Sequence, residues 1–442
     1  MHVAIDDTDS QNHMCTTYII SEIISKKKYD IIGYPELVRL NPNIKYKTRG
    51  NGALNINLGK GTGKRTVVGK SGNEFVYSYE KMKEEADPEE LMDFVYGIVE
   101  DYYVKNEPGT NPGIVISDKR FPDSLYYKAL EEEISIDYIE KYLNGIASYR
   151  KIGSGHGIIG SAASLAWNHR RSTYELLAYK YPEPEKLNAE LKMELASIPE
   201  QYNSTFNNID LANNYPAIFP KPKTPVIFGI RGINSQDLIM AYSRIKQLHD
   251  TGDSRFVIYS TNQGTDDHII FNPNFLMDLS SYAVTGVINS YPETIEGGHT
   301  FIGLKYKEDN IKLAAFEPTK EFRSIIRQLI PGDIVTAYGS YINKTIKLEK
   351  IRIIEIAKLF RSEPPICPIC NVKTRTKGKL DYRCPSCRRR YKTPLILETP
   401  RTLSAGFYEV PVIARRHLSM PLKLYRHFYN EPSSPDNDGA IL

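Results

Sequence analysis

Short apolar runs alternate with segments of helical spacing through most of the chain, and closely spaced strands follow them. Val3–Ile5 reads as a buried strand, Thr17–Lys27 as a helix, and Ile31–Leu40 and Ala53–Leu58 as strands. Lys81–Val104 has helical spacing, with a break or restart at Asp87-Pro88 and a PGTNP connector after it. A second series runs through the strand Gly113–Ile116, helices at Pro122–Glu131 and Ile136–Leu143, the glycine-rich Gly153-Ser-Gly-His-Gly157, the small-residue run Ile158–Trp167 and the strand Tyr174–Tyr179. After the Pro-rich connector Phe219–Pro225 come Val226–Ile230 (strand), Ser235–Leu248 (helix) and Phe256–Ser260 (strand). This βαβ order resembles the opening of the chain more than its middle.

From Val284 the period shortens. Strands at Val284–Asn289, Thr300–Tyr306 and Lys312–Glu317 precede a helix at Lys320–Leu329, then strands at Ile334–Tyr341 and Ile346–Ile356. Three strands, a helix and two strands is the order of an OB-fold barrel, a frequent reader of single-stranded nucleic acid, and also of other small barrels. The pattern predicts a multidomain α+β protein. A catalytic α/β domain spans 1–110 and 190–279, interrupted by a ferredoxin-like unit at 111–189. The barrel follows at 280–360, a metal module at 361–396 and a basic tail at 397–442.

Composition adds two constraints. A length of 442 residues fits about three or four domains of roughly 100–150 residues. No apolar run approaches the roughly 18 residues of a membrane span, and no basic-then-apolar leader opens the chain, so a cytoplasmic location is expected. The net charge of +4 does not by itself mark a nucleic-acid partner. The distribution of charge is more telling.

Five cysteines are too few for a disulfide framework in a chain of this length. Four form two CxxC knuckles, Cys367/Cys370 and Cys384/Cys387, separated by 13 residues. Four thiolates at that spacing are a structural zinc site with no open coordination position. Around them Arg375, Lys377, Arg388, Arg389 and Arg390 form a basic surface suited to a phosphate backbone, or simply a solvated face.

The densest chemistry lies near the start. Asp6, Asp7 and Asp9 follow the first strand, and Cys15, Thr16 and Thr17 open the first helix. Crowded carboxylates repel unless a cation lies among them, and hydroxyls at a helix start lie where phosphate is attracted. The alternative is an ordinary helix-entry turn. No Walker A loop is present: Gly59–Lys64 lacks the spacing. Lys47, Arg49, Gly50 and Asn51, before a strand, combine cations with small residues that suit phosphates or a hairpin turn. Asp266, in the loop after the strand Phe256–Ser260, is a further phosphate-site candidate, or part of a solvated loop.

The segments AIDDTDS, MCTTY, LVRLNPNIKYKTRGNGAL, STFNNID, TPVIFGIRG, STNQGTDDH and ARRHLSMPLKL, with the zinc knuckles, resemble in order the archaeal isoleucine tRNA 2-agmatinylcytidine synthetase family. His13 departs from the pattern, which has glycine there. The resemblance implies an ATP-dependent ligase. It joins agmatine to the wobble cytidine of the CAU-anticodon isoleucine tRNA, so that AUA is read as isoleucine. An atypical kinase domain phosphorylates the cytosine 2-oxygen, agmatine displaces the phosphate, and the kinase also phosphorylates one of its own threonines, which maps to Thr16. ATP, Mg²⁺ and structural Zn²⁺ are the implied cofactors, and no obligate protein partner is implied. Asp6, Asp7 and Asp9 are then expected to hold Mg²⁺ on ATP. Gly153, Gly155, Gly157 and Glu175 are expected to contribute to an agmatine pocket, with glycines for close approach and an anion for the guanidinium. Two competing readings are a non-enzymatic RNA or single-strand DNA binder and a metal-dependent nuclease.

Overall fold

A computed structural model describes the chain except residues 12, 46, 49, 108, 183–186, 221–222 and 430–442. The N-terminal part comprises β1 (His2–Asp6), α1 (Thr16–Ser25), β2 (Asp30–Arg39), β3 (Gly52–Ser71), β4 (Glu74–Glu85), α2 (Pro88–Tyr102), β5 (Gly113–Ser117), α3 (Asp123–Glu131), α4 (Ile136–Leu143), β6 (Ser148–Lys151) and α5 (Gly157–Leu165). It continues with β7 (Thr173–Tyr179), α6 (Ala189–Ser197), β8 (Val226–Gly232), α7 (Ser235–Leu248) and β9 (Arg255–Thr261). All nine strands join one sheet in the order β6-β5-β1-β3-β4-β2-β9-β7-β8, and β3 also pairs with β2 and β9.

The sheet is covered on both sides. Val3, Ile5 and Ile56 pack with Ile20 of α1 and Val95 and Val99 of α2. The opposite pleat of β1 puts Ala4 with Val115, Tyr126, Ala162 and Trp167, against α3 and α5. The period-2 alternation of side chains produces this split. The expected insertion at 111–189 is not set apart by its strands. Its first two, β5 and β6, extend the edge beside β1, and β7 lies between β8 and β9. Sequential βαβ spacing does not reveal which strands share a sheet, because β1 and β5 pair across more than a hundred residues.

The long β3–β4 hairpin replaces the expected helical start at Lys81, and α2 begins at Pro88, capped by the Asp87 carboxylate. Glycines hide this hairpin, since they are poor strand formers. They are needed for close approach: a Cβ on Gly61 would lie 2.4 Å from the Tyr79 ring, and one on Gly69 2.6 Å from Phe256 O. The Gly59–Lys64 run is therefore strand, not a phosphate loop.

After β10 (Ile269–Phe271), the strands β11 (Ser281–Ile288), β12 (Glu293–Thr294), β13 (Thr300–Tyr306) and β14 (Asp309–Ala315) lead to α8 (Phe322–Ile326), β15 (Ile334–Ile342) and β16 (Thr345–Glu355). The order β11-β15-β16-β14-β13, with β13 returning to β11, closes a five-stranded barrel around Val284, Leu304, Leu313, Val335 and Ile351. Strand and helix order agree with the sequence pattern.

Leu359–Glu363 pairs with Leu395–Thr399 as a stem, beyond which three short strands carry the cysteine knuckles. The chain then returns. Gly406–Glu409 pairs with β16, Arg415 reaches Asn207 ahead of β8, and His417–Met420 lies against the loop after β9. The tail is thus packed as far as Tyr429, and its last 13 residues lie outside the described region. Among the described residues no helix is long and apolar enough to cross a membrane.

Candidate functional site

A cavity of about 900 Å³ opens where the end of β1, the start of α1, the loop before β3 and strands β7 and β8 meet. Asp6, Asp7, Asp9, Thr16, Lys47, Gly50, Asn51 and Glu175 all line it. Residues expected from distant parts of the chain are therefore brought to one space.

Asp6 ends β1. Asp7 takes a left-handed backbone (φ +57°), and its N–H donates to Asp6 Oδ1 at 2.7 Å. The Asn111 N–H donates to Asp7 Oδ2 at 3.2 Å, and Thr48 Oγ1 lies 3.4 Å from Oδ1. Burial first, then Asp7 and Asp9, push the Asp6 carboxyl well above its ordinary range. Burial and Asp9 push Asp7 up to about 7. Crowding that raises carboxyl pKa values in this way is relieved by a cation. The three carboxylates line one cavity without converging on a point. Among the described residues, the cysteine sulfurs form the group whose ligand atoms all lie within 4.8 Å of one another.

Thr16 starts α1 and is buried, with Cys15 extended before it and contributing no side-chain cap. Cys15 Sγ lies 3.0 Å from Thr17 Oγ1. The hydroxyls of Tyr179 and Tyr259 both donate to Thr17 O, at 3.3 and 2.8 Å, and pin this helix start to β7 and β9. The N–H of His13 donates to Ser10 Oγ at 2.8 Å, within the turn that leads to α1.

The glycine loop has a packing role. A Cβ on Gly157 would lie 2.5 Å from Asp6 O, and one on Gly160 1.8 Å from Asp6 Oδ2. These positions let α5 cross closely over the Asp6 turn. Gly153 and Gly155 have left-handed backbones, and neither they nor Gly157 lines the cavity; His156 of the same loop does. Glu175 does line it, but its carboxylate is already engaged. Arg231 Nε lies 2.9 Å from Oε1, and Gln263 Nε2 donates to Oε2.

Asp266 leaves the predicted set. It is fully buried outside the cavity, 2.6 Å from Lys350 of β16, and accepts the Met420 N–H at 2.7 Å. Its polar loop is a joint with the barrel and tail. Lys47 lines the cavity and is exposed, with Nζ donating to Pro42 O; burial of part of its surroundings and the neighbouring Arg416 lower its pKa. Arg49 lies outside the described residues. Asn51 holds the loop through its Nδ2, which donates to Asn41 O at 2.8 Å.

Three lining side chains stand outside the expected set: the guanidinium groups of Arg39 and Arg231 and the imidazole of His417. Arg39 ends β2, its backbone clamped by Asn262 at 2.7 and 2.8 Å, and its enclosed Nε has no hydrogen-bond partner among the described residues. Gly50 and Gly52 make room for it, since a Cβ on either would lie 3.0 Å from Nη1. Arg231 is oriented by Asn208, whose Oδ1 accepts its backbone N–H, and by Asn207 O, which accepts Nη1. The available signal is a basic residue inside each otherwise apolar strand, Arg39 in LVRL and Arg231 in FGIRG.

In the zinc module, Cys367 and Cys387 sulfurs are 3.7 Å apart, close to the roughly 3.8 Å edge of a tetrahedron with 2.3 Å Zn–S bonds. The four sulfurs fit Zn²⁺ and leave it no open position. Arg375, Lys377, Arg388, Arg389 and Arg390 are all exposed.

Three family models match the chain: the TiaS TCKD domain over residues 2–151, the TiaS FLD domain over 155–268 and the TiaS C-terminal zinc ribbon domain over 364–403. The first boundary falls between β6 and α5, so the first model includes β5 and β6. The isoleucine-2 tRNA 2-agmatinylcytidine synthetase TiaS of Thermoplasma volcanium is 48% identical over 431 residues, covering 97% of this chain and 98% of the relative. That of Archaeoglobus fulgidus is 36% identical, covering 95% and 96%. A crystal structure of TiaS in complex with isoleucine-2 tRNA and ATP matches with a TM-score of 0.80 at 34% identity over 95% of this chain and 96% of that one. A complex of TiaS with isoleucine-2 tRNA, AMPCPP and agmatine matches with 0.80 at 32% identity over 98% of each. The chain belongs to the isoleucine-2 tRNA 2-agmatinylcytidine synthetase (TiaS) family.

Proposed function

We propose that this chain ligates agmatine to the wobble cytidine of the CAU-anticodon isoleucine tRNA at the expense of ATP. The observation that carries this reading is the single cavity. It gathers the carboxyl groups of Asp6, Asp7 and Asp9, the Thr16 hydroxyl and the cations Arg39, Arg231 and Lys47 around one space. The relatives whose names and complexes contain isoleucine-2 tRNA, ATP and agmatine support it.

The first step is phosphorylation of the cytosine 2-oxygen, which turns a poor leaving group into a good one. Asp6, Asp7 and Asp9 are the oxygen donors suited to Mg²⁺, and the raised pKa values of Asp6 and Asp7 fit such a role. When bound, Mg²⁺ supplies charge neutralisation on the phosphates. Lys47, Arg49 and Arg39 add positive charge for the transferring group. Thr16 is the autophosphorylation site in this reading. The wobble base must leave its stack to enter the cavity, at a cost of roughly a few kcal/mol offset by pocket contacts. On the same reading the sheet comprises a kinase-like part and a ferredoxin-like part, the barrel is an OB-fold, and barrel and basic ribbon grip the tRNA.

Incubation of the tRNA with γ-labelled ATP and Mg²⁺ in the absence of agmatine tests the first step. The reading expects label on the wobble cytidine, released as phosphate when agmatine is added. Turnover of ATP with no label ever reaching tRNA contradicts it.

A further inference from the structure

We propose that His417, delivered by the returning C-terminal segment, is the base that takes the proton from the agmatine amine as it attacks the cytosine. The inference rests on the two-step reading above.

His417 follows the zinc module in sequence, yet its ring lines the catalytic cavity and is exposed to it. The segment is fixed there by backbone bonds. The Gly264 N–H donates to His417 O at 2.8 Å, and the Asp266 N–H to Leu418 O at 2.9 Å. The ring's Nδ1 lies 2.8 Å from Gln263 Oε1. Gln263 in turn presents its Nε2 to Glu175 Oε2. A carboxylate only accepts hydrogen bonds, so the amide nitrogen must face Glu175. The amide oxygen therefore faces the imidazole and can only accept. Nδ1 must carry the proton, which leaves the lone pair on Nε2. The chain Glu175–Gln263–His417 thus fixes one tautomer, and Arg231 fixes Glu175 from its other oxygen.

The charge state agrees with that geometry. The charged groups around the ring are Arg39 from β2, Arg231 from β8, Lys47 from the loop before β3 and its neighbour Arg416. Arg39 first, then burial and Arg231, hold the imidazole uncharged well below its ordinary pKa. A neutral ring with an available Nε2 is a proton acceptor. It need not be strong, because the amine nitrogen becomes far more acidic once it bonds carbon.

The lone pair of the uncharged amine forms the C2–N bond. The C2–O bond breaks and its electron pair leaves with phosphate. The surplus proton on nitrogen passes to Nε2, and from the imidazolium to phosphate or water. Asp6, Asp7, Asp9 and Thr16 take no part in this transfer.

His417→Asn provides the test, because the Asn amide N–H can replace Nδ1–H toward Gln263 while Nε2 is deleted. Phosphorylation of the tRNA and its conversion by agmatine are measured separately in single turnover, from pH 7 to 9. The second step is expected to fall about 10²–10⁴-fold more than the first, with little change in the agmatine KM. The ratio of wild-type to variant rates should narrow as pH rises and solvent replaces the lost base. The fraction of free amine changes equally for both proteins and cancels in that ratio. Imidazole added to His417→Ala is expected to restore the second step. Equal losses in both steps, a loss confined to KM, or wild-type conversion by the Asn variant would each overturn the assignment. Failure of the wild-type protein to phosphorylate tRNA would instead overturn the two-step reading.

Discussion

Lys350 and Asp266 meet at 2.6 Å with neither side chain exposed to solvent. One comes from the barrel and the other from the loop after β9. Lys350 also donates to Met420 O at 2.8 Å, so barrel, nine-stranded sheet and returning tail share one buried charge pair. Removing one partner strands a charge. Lys350→Met is expected to cost about 3–5 kcal/mol, and Lys350→Met with Asp266→Asn to recover most of it. Denaturant melts of the three proteins measure this. Equal losses in single and double variants contradict a paired role.

The Asp7 carboxyl predicts a trade between stability and activity. Its pKa is raised to about 7 by burial and by Asp9, so between pH 3.8 and about 7 the folded state binds more protons than the unfolded one. Metal-free stability should therefore fall as pH rises through that window. Asp7→Asn should be more stable than wild type at pH 8 without metal, by on the order of 2 kcal/mol. The same variant should lose tRNA phosphorylation by about 10²-fold or more. Thermal melts against pH, with and without Mg²⁺-ATP, read the first effect.

Arg39 carries a second such trade. Its guanidinium is part-buried with Nε unpartnered among the described residues, so Arg39→Met should leave stability unchanged or raised. Phosphoryl transfer should fall about 10²–10³-fold, and Arg39→Lys should recover only part, because a point charge does not replace a planar fork. Single-turnover transfer rates decide this. Full activity in Arg39→Met contradicts a phosphate role.

The site is legible in the sequence where chemistry is local. Asp6, Asp7 and Asp9 stand within four residues, and the cysteine knuckles are read from spacing alone. The barrel is legible because its strands and helix follow one another in order. Asp266 misleads because its polar loop gives no hint of Lys350, 84 residues away. The β3–β4 hairpin is hidden by Gly59, Gly61 and Gly69, which relieve clashes visible only between paired strands. His417 reads as one more basic residue of a tail, because the Gln263 that orients it is 154 residues distant.

The zinc module predicts separable binding. Stripping Zn²⁺ with a chelator, or Cys384→Ser, should weaken tRNA binding while ATP binding persists, since the knuckles lie in their own small sheet. Arg389→Ala with Arg390→Ala should weaken binding and reduce its log–log salt slope by about 1 for each phosphate no longer neutralised. Filter binding across a salt series measures the slope. An unchanged slope contradicts backbone contact by these residues.

Mass spectrometry of the wobble nucleoside tests agmatine ligation itself. CAU-anticodon isoleucine tRNA is incubated with the protein, ATP, Mg²⁺ and isotope-labelled agmatine, then digested. The labelled agmatine moiety is expected on the wobble cytidine, and only when ATP is present. Unmodified cytidine after incubation with folded, tRNA-bound protein, or label at any other nucleoside, would contradict the proposed ligation.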